Sequence, residues 1–297
     1  MAPAVSVIMT VRNGAQYLPE TLDALARQTF RNYELVINDN GSIDRTPSIL
    51  ADYAERDRRI RLLPPVAEGA RSFTQGIARA FEAAIAPFVA VNDGDDVPAP
   101  DRLEKQAAVL GASPEITLVA SWFDHIDSQG RVIETRRVPP GLFAAYQSGN
   151  PIAHSSLMYR RAEALAAGGY RERFTFASDF ALQVAMALAG GKVAVIPESL
   201  VKIRLHEQQA SRMPGQRAQF YREPLEILGA ARRLWGVPWS ARMKGMLCRQ
   251  KLALRYGQAL WNEKRHSESV TATPYWLLAS LTSLVPSRRG MQRMSFQ

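Results

Sequence analysis

Over roughly its first 110 residues, the chain alternates between two patterns of hydrophobic positions. Short apolar runs rich in β-branched residues, at Val5–Val11, Tyr33–Ile37, Arg59–Leu63 and from Phe88, are typical of buried parallel strands. Between these runs, apolar residues recur every three or four positions, which predicts three helices. Their apolar faces carry Leu18, Leu22 and Leu25, then Ile49, Leu50 and Tyr53, then Phe73, Ile77 and Phe81. The alternation predicts an α/β fold with right-handed crossovers between parallel strands.

Polar clusters follow three of these predicted strands. They lie at Thr10 to Asn13, Asp39 to Ser42 and Asp93 to Asp96, in each case where an apolar run ends. Ligands of open parallel sheets bind outside the carboxyl ends of the strands, so the three clusters are expected to meet at one edge of the sheet. We interpret the coincidence as one binding site, since solvated turns alone would not be expected to produce it.

The acidic turn Asp93–Asp96 is the densest of these clusters, with three carboxylates and a glycine in four residues. Neighbouring carboxylates disfavour one another's ionisation, and a cation compensates for this cost. Hard oxygen ligands suit Mg²⁺ or Mn²⁺, and Mg²⁺ often bridges one or two carboxylates to the phosphates of a substrate. The turn therefore indicates a metal–diphosphate site. An exposed turn whose aspartates are simply solvated is the alternative.

Two common phosphate-binding signatures are missing from the sequence. No GxGxxG follows the first strand, which disfavours dinucleotide binding, and no GxxxxGK[ST] occurs anywhere. A phosphate would therefore have to be neutralised by the metal and by basic side chains such as Arg71. Arg71 is equally compatible with an ordinary exposed arginine in a loop.

Taken together, these residues resemble the inverting, metal-dependent glycosyltransferases of family 2, which have a GT-A fold. The resemblance rests on Val5–Gly14, Glu34–Thr46, the acidic turn and Arg102–Gln106, and it covers roughly residues 5–210. It implies a Rossmann-like mixed sheet flanked by helices in a catalytic domain at residues 1–212. Residues 5–110 would form the nucleotide-sugar-binding half of this domain and residues 111–212 the acceptor half. A basic helical extension would follow at 213–297.

The resemblance also implies roles on the donor side. Asp39 would hydrogen-bond the nucleobase, commonly uracil. Asp95 would bind Mn²⁺ or Mg²⁺ directly, and Asp93 would lie nearer the ribose while contributing to the metal site. His206 would complete the metal shell, and Arg204 would neutralise the diphosphate. The other residues expected around the nucleotide sugar are Thr10, Val11, Arg12, Asn13, Arg71 and Gly94.

On the acceptor side, Asp179 matches the general base of the resembling family, which would deprotonate the acceptor hydroxyl. That family usually has glutamate before this aspartate, whereas this chain has Ser178. The orientation of the acceptor is therefore open. Ser178 and His154 are the residues expected to contact the acceptor. Two alternatives remain: Asp179 could be a routine helix N-cap, and His154 a structural histidine.

Charge is distributed unevenly along the chain. The net charge is +9, and from Val201 onward 17 lysine and arginine residues stand against 5 acidic residues. A basic tail of this kind predicts contact with an anionic surface, and Pro274–Pro286 suits an interfacial helix on a membrane. A helical hairpin packed on the catalytic domain, or a contact between subunits, explains the same pattern. The sequence does not define an oligomeric state.

The expected location follows from features that the sequence lacks. The first residues show no basic segment followed by a long apolar one, and no run approaches the roughly 18 apolar residues of a membrane-spanning helix. A single cysteine, Cys248, excludes an internal disulfide and fits a reducing compartment. We expect a cytoplasmic protein, peripheral on the inner face of the cell membrane if its tail binds lipid.

The leading hypothesis is an inverting glycosyltransferase that moves a sugar from a nucleotide-diphospho-sugar, with a UDP-sugar favoured, to a hydroxyl of a glycan or lipid-linked acceptor. One base and one metal suffice for a single displacement, and surface polysaccharide synthesis is the expected process. A nucleotidyltransferase and a non-catalytic sugar-nucleotide-binding protein are the alternatives. Nucleic-acid binding would rest on the charge of the tail alone, so nucleic acid is not expected as a partner.

Overall fold

The first four strands form where the apolar runs predict them. They are β1 (Val5–Val11), β2 (Tyr33–Asp39), β3 (Ile60–Leu62) and β4 (Phe88–Val91). All neighbouring pairs among them are parallel, in the order β3-β2-β1-β4. Every residue of β1 is buried, which is the reason for its continuous apolar run rather than an alternating one.

Three helices connect these strands: α1 (Leu18–Ala26), α2 (Thr46–Arg56) and α3 (Phe73–Ala83). The apolar residues that predict α1 are buried in the core between this helix and the sheet. Helix α2 begins at Thr46, and just before it the Asp44 carboxylate accepts the main-chain N–H of Thr46 at 2.9 Å. Ser72 and Gln75 form a capping box at the start of α3.

The second part of the sheet mixes directions. It contains β5 (Val97–Pro98), β6 (Ile116–Ile126), β7 (Val132–Arg136), β8 (Met158–Arg160) and β9 (Lys192–Arg204). The sheet continues as β4-β8-β6-β9-β5, and β7 pairs with β6 as a hairpin. Strand β8 is antiparallel to both β4 and β6, whereas β6 and β9 are parallel. This mixed α/β sheet confirms the expected fold class.

Three more helices complete this part of the fold: α4 (Arg102–Ala112), α5 (Arg161–Ala166) and α6 (Ser178–Leu188). Gly168 and Gly169 follow α5 with φ angles of 95° and 59°, which only glycine adopts readily. Just before β8, His154–Ser156 form a 3₁₀ turn.

This computed structural model describes residues 2–65, 72–139, 150–207, 209 and 222–228. The chain divides into two units, one of Met1–Leu142 and Pro151–His206, the other of Phe143–Asn150 and Glu207–Gln297. All the strands and helices named above belong to the first unit. Within the second unit, residues 222–228 are helical. The rest of the predicted extension at 213–297 lies outside the described residues, and the domain boundaries at 110 and 212 stay predictions.

No helix in the described part of the chain combines the length and the hydrophobicity that crossing a lipid bilayer requires.

Candidate functional site

The carboxyl ends of β1, β2 and β4 lie side by side. Val11 pairs with Asp39 across β1 and β2, and Ile8 pairs with Val91 across β1 and β4. Beyond the strand ends, the main-chain N–H of Asn40 donates to the carbonyl of Val11 at 2.8 Å. The three polar clusters of the sequence therefore meet at one edge of the sheet, as the topology requires.

Helix α3 approaches this edge closely through Gly76. A Cβ atom on Gly76 would lie 2.4 Å from Oγ1 of Thr10 and 3.0 Å from Nδ2 of Asn38. Both of these residues are buried, and the Asn38 amide donates to the Thr10 hydroxyl at 3.2 Å. Glycine is thus required where the helix meets the predicted nucleotide residue Thr10. Neither Asn38 nor Gly76 is among the site residues predicted from the sequence.

A network of side chains and main-chain groups fixes the loops after β1 and β2. Oδ1 of Asp39 accepts hydrogen bonds from the main-chain N–H of Ser42 at 3.0 Å and from its hydroxyl at 2.7 Å. The N–H of Asn13 donates to the same hydroxyl at 2.9 Å, and Oδ1 of Asn13 accepts from Ile43. Asn13 has a φ of 51°, a left-handed conformation that asparagine tolerates better than most residues. The carboxylate predicted to bind the base is therefore held in a defined direction, beside the exposed Arg12.

Every carbonyl of the acidic turn accepts a hydrogen bond from a neighbouring side chain. The Asn92 amide donates to the carbonyls of Asp93 at 2.9 Å and Asp96 at 3.2 Å. The Thr21 hydroxyl donates to the carbonyl of Gly94 at 3.1 Å, and Nε of Arg204 to that of Asp95 at 3.2 Å. Neighbouring side chains thus fix the backbone of the turn, so its carboxylates are not needed to hold that backbone in place.

The carboxylates of the turn differ in their environments. Asp96 is buried, and its burial, together with the charges of Asp95 and Asp93, raises its pKa well above the usual value. Oδ1 of Asp93 is also buried and, among the described residues, accepts no hydrogen bond. A buried carboxylate oxygen without a hydrogen-bond donor is costly unless a cation compensates for its charge.

A divalent metal fits this arrangement. Oδ2 of Asp95 lies 2.8 Å from Nε2 of His206, so the two predicted metal ligands are adjacent. Carboxylate oxygens are the donors that Mg²⁺ and Mn²⁺ prefer, and these ions commonly complete their shells with water and substrate phosphates. Within the described ranges, no three His, Cys, Asp or Glu side chains are grouped so that they could hold a metal on their own. A metal here would therefore need oxygen ligands from a bound diphosphate or water.

Helix α6 presents the predicted base from its first turn. The helix begins at Ser178, and its N-cap is Ala177, which makes no side-chain capping bond. The alternative of Asp179 as the N-cap is thus wrong, since this residue lies within the first turn. Ser178 is buried, which places its side chain inside the fold.

His154 lies between the acidic turn and α6. Its Nε2 is 2.9 Å from the hydroxyl of Tyr170, and its Nδ1 is 3.6 Å from Oδ1 of Asp93, longer than a hydrogen bond. Burial lowers the pKa of His154, but the direct interaction with the Asp93 carboxylate, which at 3.6 Å is an ion pair rather than a hydrogen bond, and then the charge of Asp179 outweigh burial and raise it above the usual value. Burial and the neighbouring Tyr159, Asp179 and Asp93 raise the pKa of Tyr170, so that its hydroxyl stays protonated. His154 is therefore positioned between the predicted donor and acceptor residues.

The loop before α6 is fastened to α3. The Thr74 hydroxyl is buried and lies 2.6 Å from the carbonyl of Phe174 and 3.1 Å from that of Thr175. This contact joins residues about 100 positions apart, so no local sequence pattern could have identified it. Of the other predicted site residues, Val11 packs under Gly94, and Arg71 lies outside the described residues.

The chain is similar in sequence to a known family and to known proteins. The family model described as glycosyl transferase family 2 matches residues 6–168, which is more than half of the chain. The amylovoran biosynthesis glycosyltransferase AmsE of Erwinia amylovora is 25% identical over 236 residues, covering 75% of this chain and 86% of that protein.

Two solved structures have similar folds. TarS of S. aureus in complex with UDP-GlcNAc superposes with a TM-score of 0.66 and 18% identity, covering 94% of this chain and 79% of that one. The mannosyltransferase PcManGT of Pyrobaculum calidifontis, in complex with GDP-Man and Mn²⁺, gives a TM-score of 0.65 at 19% identity, covering 96% and 81%. At these identities the likeness establishes the fold and assigns no role to the residues of the site.

Proposed function

Because the chain belongs to glycosyl transferase family 2, we propose that it transfers a sugar from a nucleotide-diphospho-sugar to a hydroxyl of a glycan or lipid-linked acceptor, with inversion at the anomeric carbon. The observation that carries this proposal is the acidic turn, which lies beside Asp39 and Thr10 at the ends of parallel strands. The buried Oδ1 of Asp93 accepts no hydrogen bond from a described residue and lies 3.6 Å from Nδ1 of His154, so its charge calls for a positive partner, which a protonated His154 or a bound cation would supply.

The donor would lie along the carboxyl ends of β1, β2 and β4. Asp39 would accept a hydrogen bond from the base, and the neighbouring Thr10, Val11 and Asn13 would line the nucleoside. Asp95 and His206, together with oxygen ligands from the diphosphate or water, would hold Mn²⁺ or Mg²⁺, which when bound would act as a Lewis acid on the diphosphate, and Asp93 would lie nearer the ribose. A UDP-sugar is the favoured donor, since TarS binds UDP-GlcNAc in a similar fold. GDP-Man in PcManGT makes a guanosine donor the first competitor.

Asp179 would act as the general base. It accepts the proton of the acceptor hydroxyl while the hydroxyl oxygen attacks the anomeric carbon from the face opposite the nucleotide. The bond from oxygen to the anomeric carbon forms as the bond to the diphosphate breaks, and a nucleoside diphosphate leaves. Of the two residues expected to contact the acceptor, His154 would do so, whereas the buried side chain of Ser178 would not reach it. One displacement inverts the anomeric configuration.

The biological setting is proposed from relatives and from charge. AmsE is described as an enzyme of amylovoran biosynthesis, which supports a role in surface polysaccharide synthesis. The excess of basic residues after Val201 would favour attachment of the second unit to an anionic membrane surface, where lipid-linked acceptors are found. Weak binding to anionic liposomes at low salt would contradict this attachment without touching the enzymatic proposal.

The proposed activity is tested by following the products. The protein is screened for thermal stabilisation by UDP-, GDP- and dTDP-sugars with Mn²⁺, and the stabilising donor is then incubated with candidate acceptors. A glycosyltransferase releases a nucleoside diphosphate, whereas a nucleotidyltransferase releases pyrophosphate. NMR of the product gives its anomeric configuration, and retention would refute the single displacement.

The variant Asp179→Asn separates catalysis from binding. Amide replaces carboxylate without a change of size, so donor affinity should stay within about twofold, while turnover should fall at least 100-fold, the lower end of what general-base catalysis contributes. An Asp179→Asn enzyme with normal turnover would remove Asp179 from the mechanism. Donor binding without any release of nucleoside diphosphate by the wild type would instead support a non-catalytic binding protein.

A further inference from the structure

The first turn of α1 contacts the end of β9. Oε2 of Glu20 accepts a hydrogen bond from Nη2 of Arg204 at 2.6 Å. The ring centre of Tyr17 lies 4.6 Å from Cζ of Arg204 and 5.0 Å from the ring centre of His206. The Arg204 side chain is only 2% exposed, whereas that of Glu20 is 53% exposed. An arginine this deeply buried must be satisfied by acceptors of the protein or a ligand.

All three nitrogens of the Arg204 guanidinium already donate to the protein. Nε binds the carbonyl of Asp95, Nη2 binds Glu20, and Nη1 binds the carbonyls of Asp127 at 3.2 Å and Ser128 at 3.4 Å. The main-chain N–H of Arg204 also donates to Oδ1 of Asp96 at 3.0 Å. The residue thus ties the acidic turn to α1 and to the turn between β6 and β7.

We propose that Arg204, held by Tyr17 and Glu20, is a positioning residue for the acidic turn and not a ligand of the diphosphate. Its bonds fix the Asp95 carbonyl and the Asp96 carboxylate on one side of the turn. His206, two residues further along the chain, is thereby placed against Asp95. Groups that contact metal ligands and thereby orient them strongly affect metal affinity. The inference rests on the proposed function, because it takes the acidic turn as the metal-binding element.

A diphosphate ligand and a positioning residue predict opposite responses to the loss of Glu20. If Arg204 bound the diphosphate, Glu20 would compete for the guanidinium, and its neutralisation would make UDP binding tighter. If Arg204 positions the turn, neutralising Glu20 loosens Arg204 and weakens metal binding. The position of Glu20 at the surface makes Glu20→Gln a mild change for the fold.

The control variant is Glu198→Gln on β9. Glu198 is also 53% exposed and also ion-paired, to Lys105, and it has no bond to the acidic turn in the described part of the chain. Mn²⁺ binding to the free wild type and to both variants is measured by electron paramagnetic resonance. We expect roughly tenfold weaker Mn²⁺ binding in Glu20→Gln, at the low end for residues that orient ligands, and unchanged binding in Glu198→Gln. Equal Mn²⁺ affinities in all three proteins would overturn the proposal.

Two further measurements do not depend on Mn²⁺ binding. In metal-free protein, amide hydrogen exchange across residues 92–98 should be faster in Glu20→Gln than in Glu198→Gln; equal rates would overturn the proposal. UDP binding in EDTA should be the same in all three proteins, and tighter binding in Glu20→Gln would identify Arg204 as a diphosphate ligand. A wild type that transfers no sugar would refute the proposed function, while these binding and exchange results would still decide the role of Arg204.

Discussion

The guanidinium of Arg102 donates a hydrogen bond of 3.0 Å to the side-chain carbonyl of Asn92, the residue whose amide binds both ends of the acidic turn. Arg102 also donates to the carbonyl of Val91 at 2.7 Å and is fully buried. Burial lowers its pKa to about 10, against the opposing charges of Asp96 and Asp93. The buried guanidinium of Arg102, on α4, therefore supports the acidic turn through Asn92.

Replacing Arg102 by methionine, which has a similar reach but no donor, should destabilise the fold strongly. The change leaves several buried acceptors without a partner, at about 1–3 kcal/mol for each, so we expect a loss of at least 3 kcal/mol. Urea denaturation measures it. Arg131→Met is the control, because that side chain is 78% exposed and its loss should cost within about 0.5 kcal/mol. Equal effects of the two changes would contradict a supporting role for Arg102.

A methyl group on Gly76 should damage both the fold and the donor site. In Gly76→Ala, the new Cβ would meet the Thr10 hydroxyl at 2.4 Å, so either β1 or α3 must shift. We expect a loss of about 1–3 kcal/mol, as for other overpacked sites, and weaker nucleotide binding.

Gly111→Ala is the matched control for this change. Gly111 lies in α4 with no atom within 4 Å of an added Cβ, so alanine should stabilise the helix by about 0.5–1 kcal/mol. Thermal denaturation and calorimetric titration with UDP compare the two. A Gly76→Ala protein with normal stability would show that α3 is not held as closely as the structure has it.

The edge of the sheet where the nucleotide sugar is proposed to bind, at the carboxyl ends of β1, β2 and β4, could be predicted largely from the sequence, because each of its parts is a short stretch of the chain. Each strand end is a short apolar run followed by polar residues, and the topology of a parallel sheet brings such ends together. Asp39 and the acidic turn were found in this way, and the structure places them at neighbouring strand ends. The roles assigned to them stay predictions.

The contacts that hold the site in place could not be predicted from the sequence, because they join distant parts of the chain. Glu20 and Arg204 are 184 residues apart, and Thr74 contacts Phe174. Exposed glutamates and buried threonines are common, so neither residue type signals such a contact. The predicted diphosphate contact of Arg204 illustrates the difficulty, since its residue type fits both that role and the positioning role proposed above, and the diphosphate contact stays a prediction.

The stability that His154 contributes should depend on pH. Its pKa in the folded protein is raised above the value near 6.5 of an unfolded chain, chiefly because Asp93 and Asp179 outweigh burial. A histidine whose pKa is raised on folding stabilises the fold fully at pH values below its pKa in the unfolded chain. This stabilisation is lost as the pH rises through its pKa in the folded protein. The free energy of unfolding lost in His154→Asn should therefore be larger at about pH 5.5 than at about pH 8.5, measured by urea denaturation. A difference that is constant or grows with pH would contradict the sign of the shift.

Thr74→Val should reduce turnover more than donor binding. The valine has the same shape but removes the hydroxyl that bonds the carbonyls of Phe174 and Thr175, just before the helix that carries Asp179. The buried carbonyl of Phe174 loses its donor, so we expect about 1–3 kcal/mol less stability and, if Asp179 is the base, a lower kcat with an unchanged KM for the donor. Thr135→Val is the control, since its hydroxyl bonds Asp124 on the exposed β6–β7 hairpin. Steady-state kinetics at varied donor concentration compare the two variants. A rise in the donor KM of Thr74→Val without a fall in kcat would place Thr74 in the donor site instead.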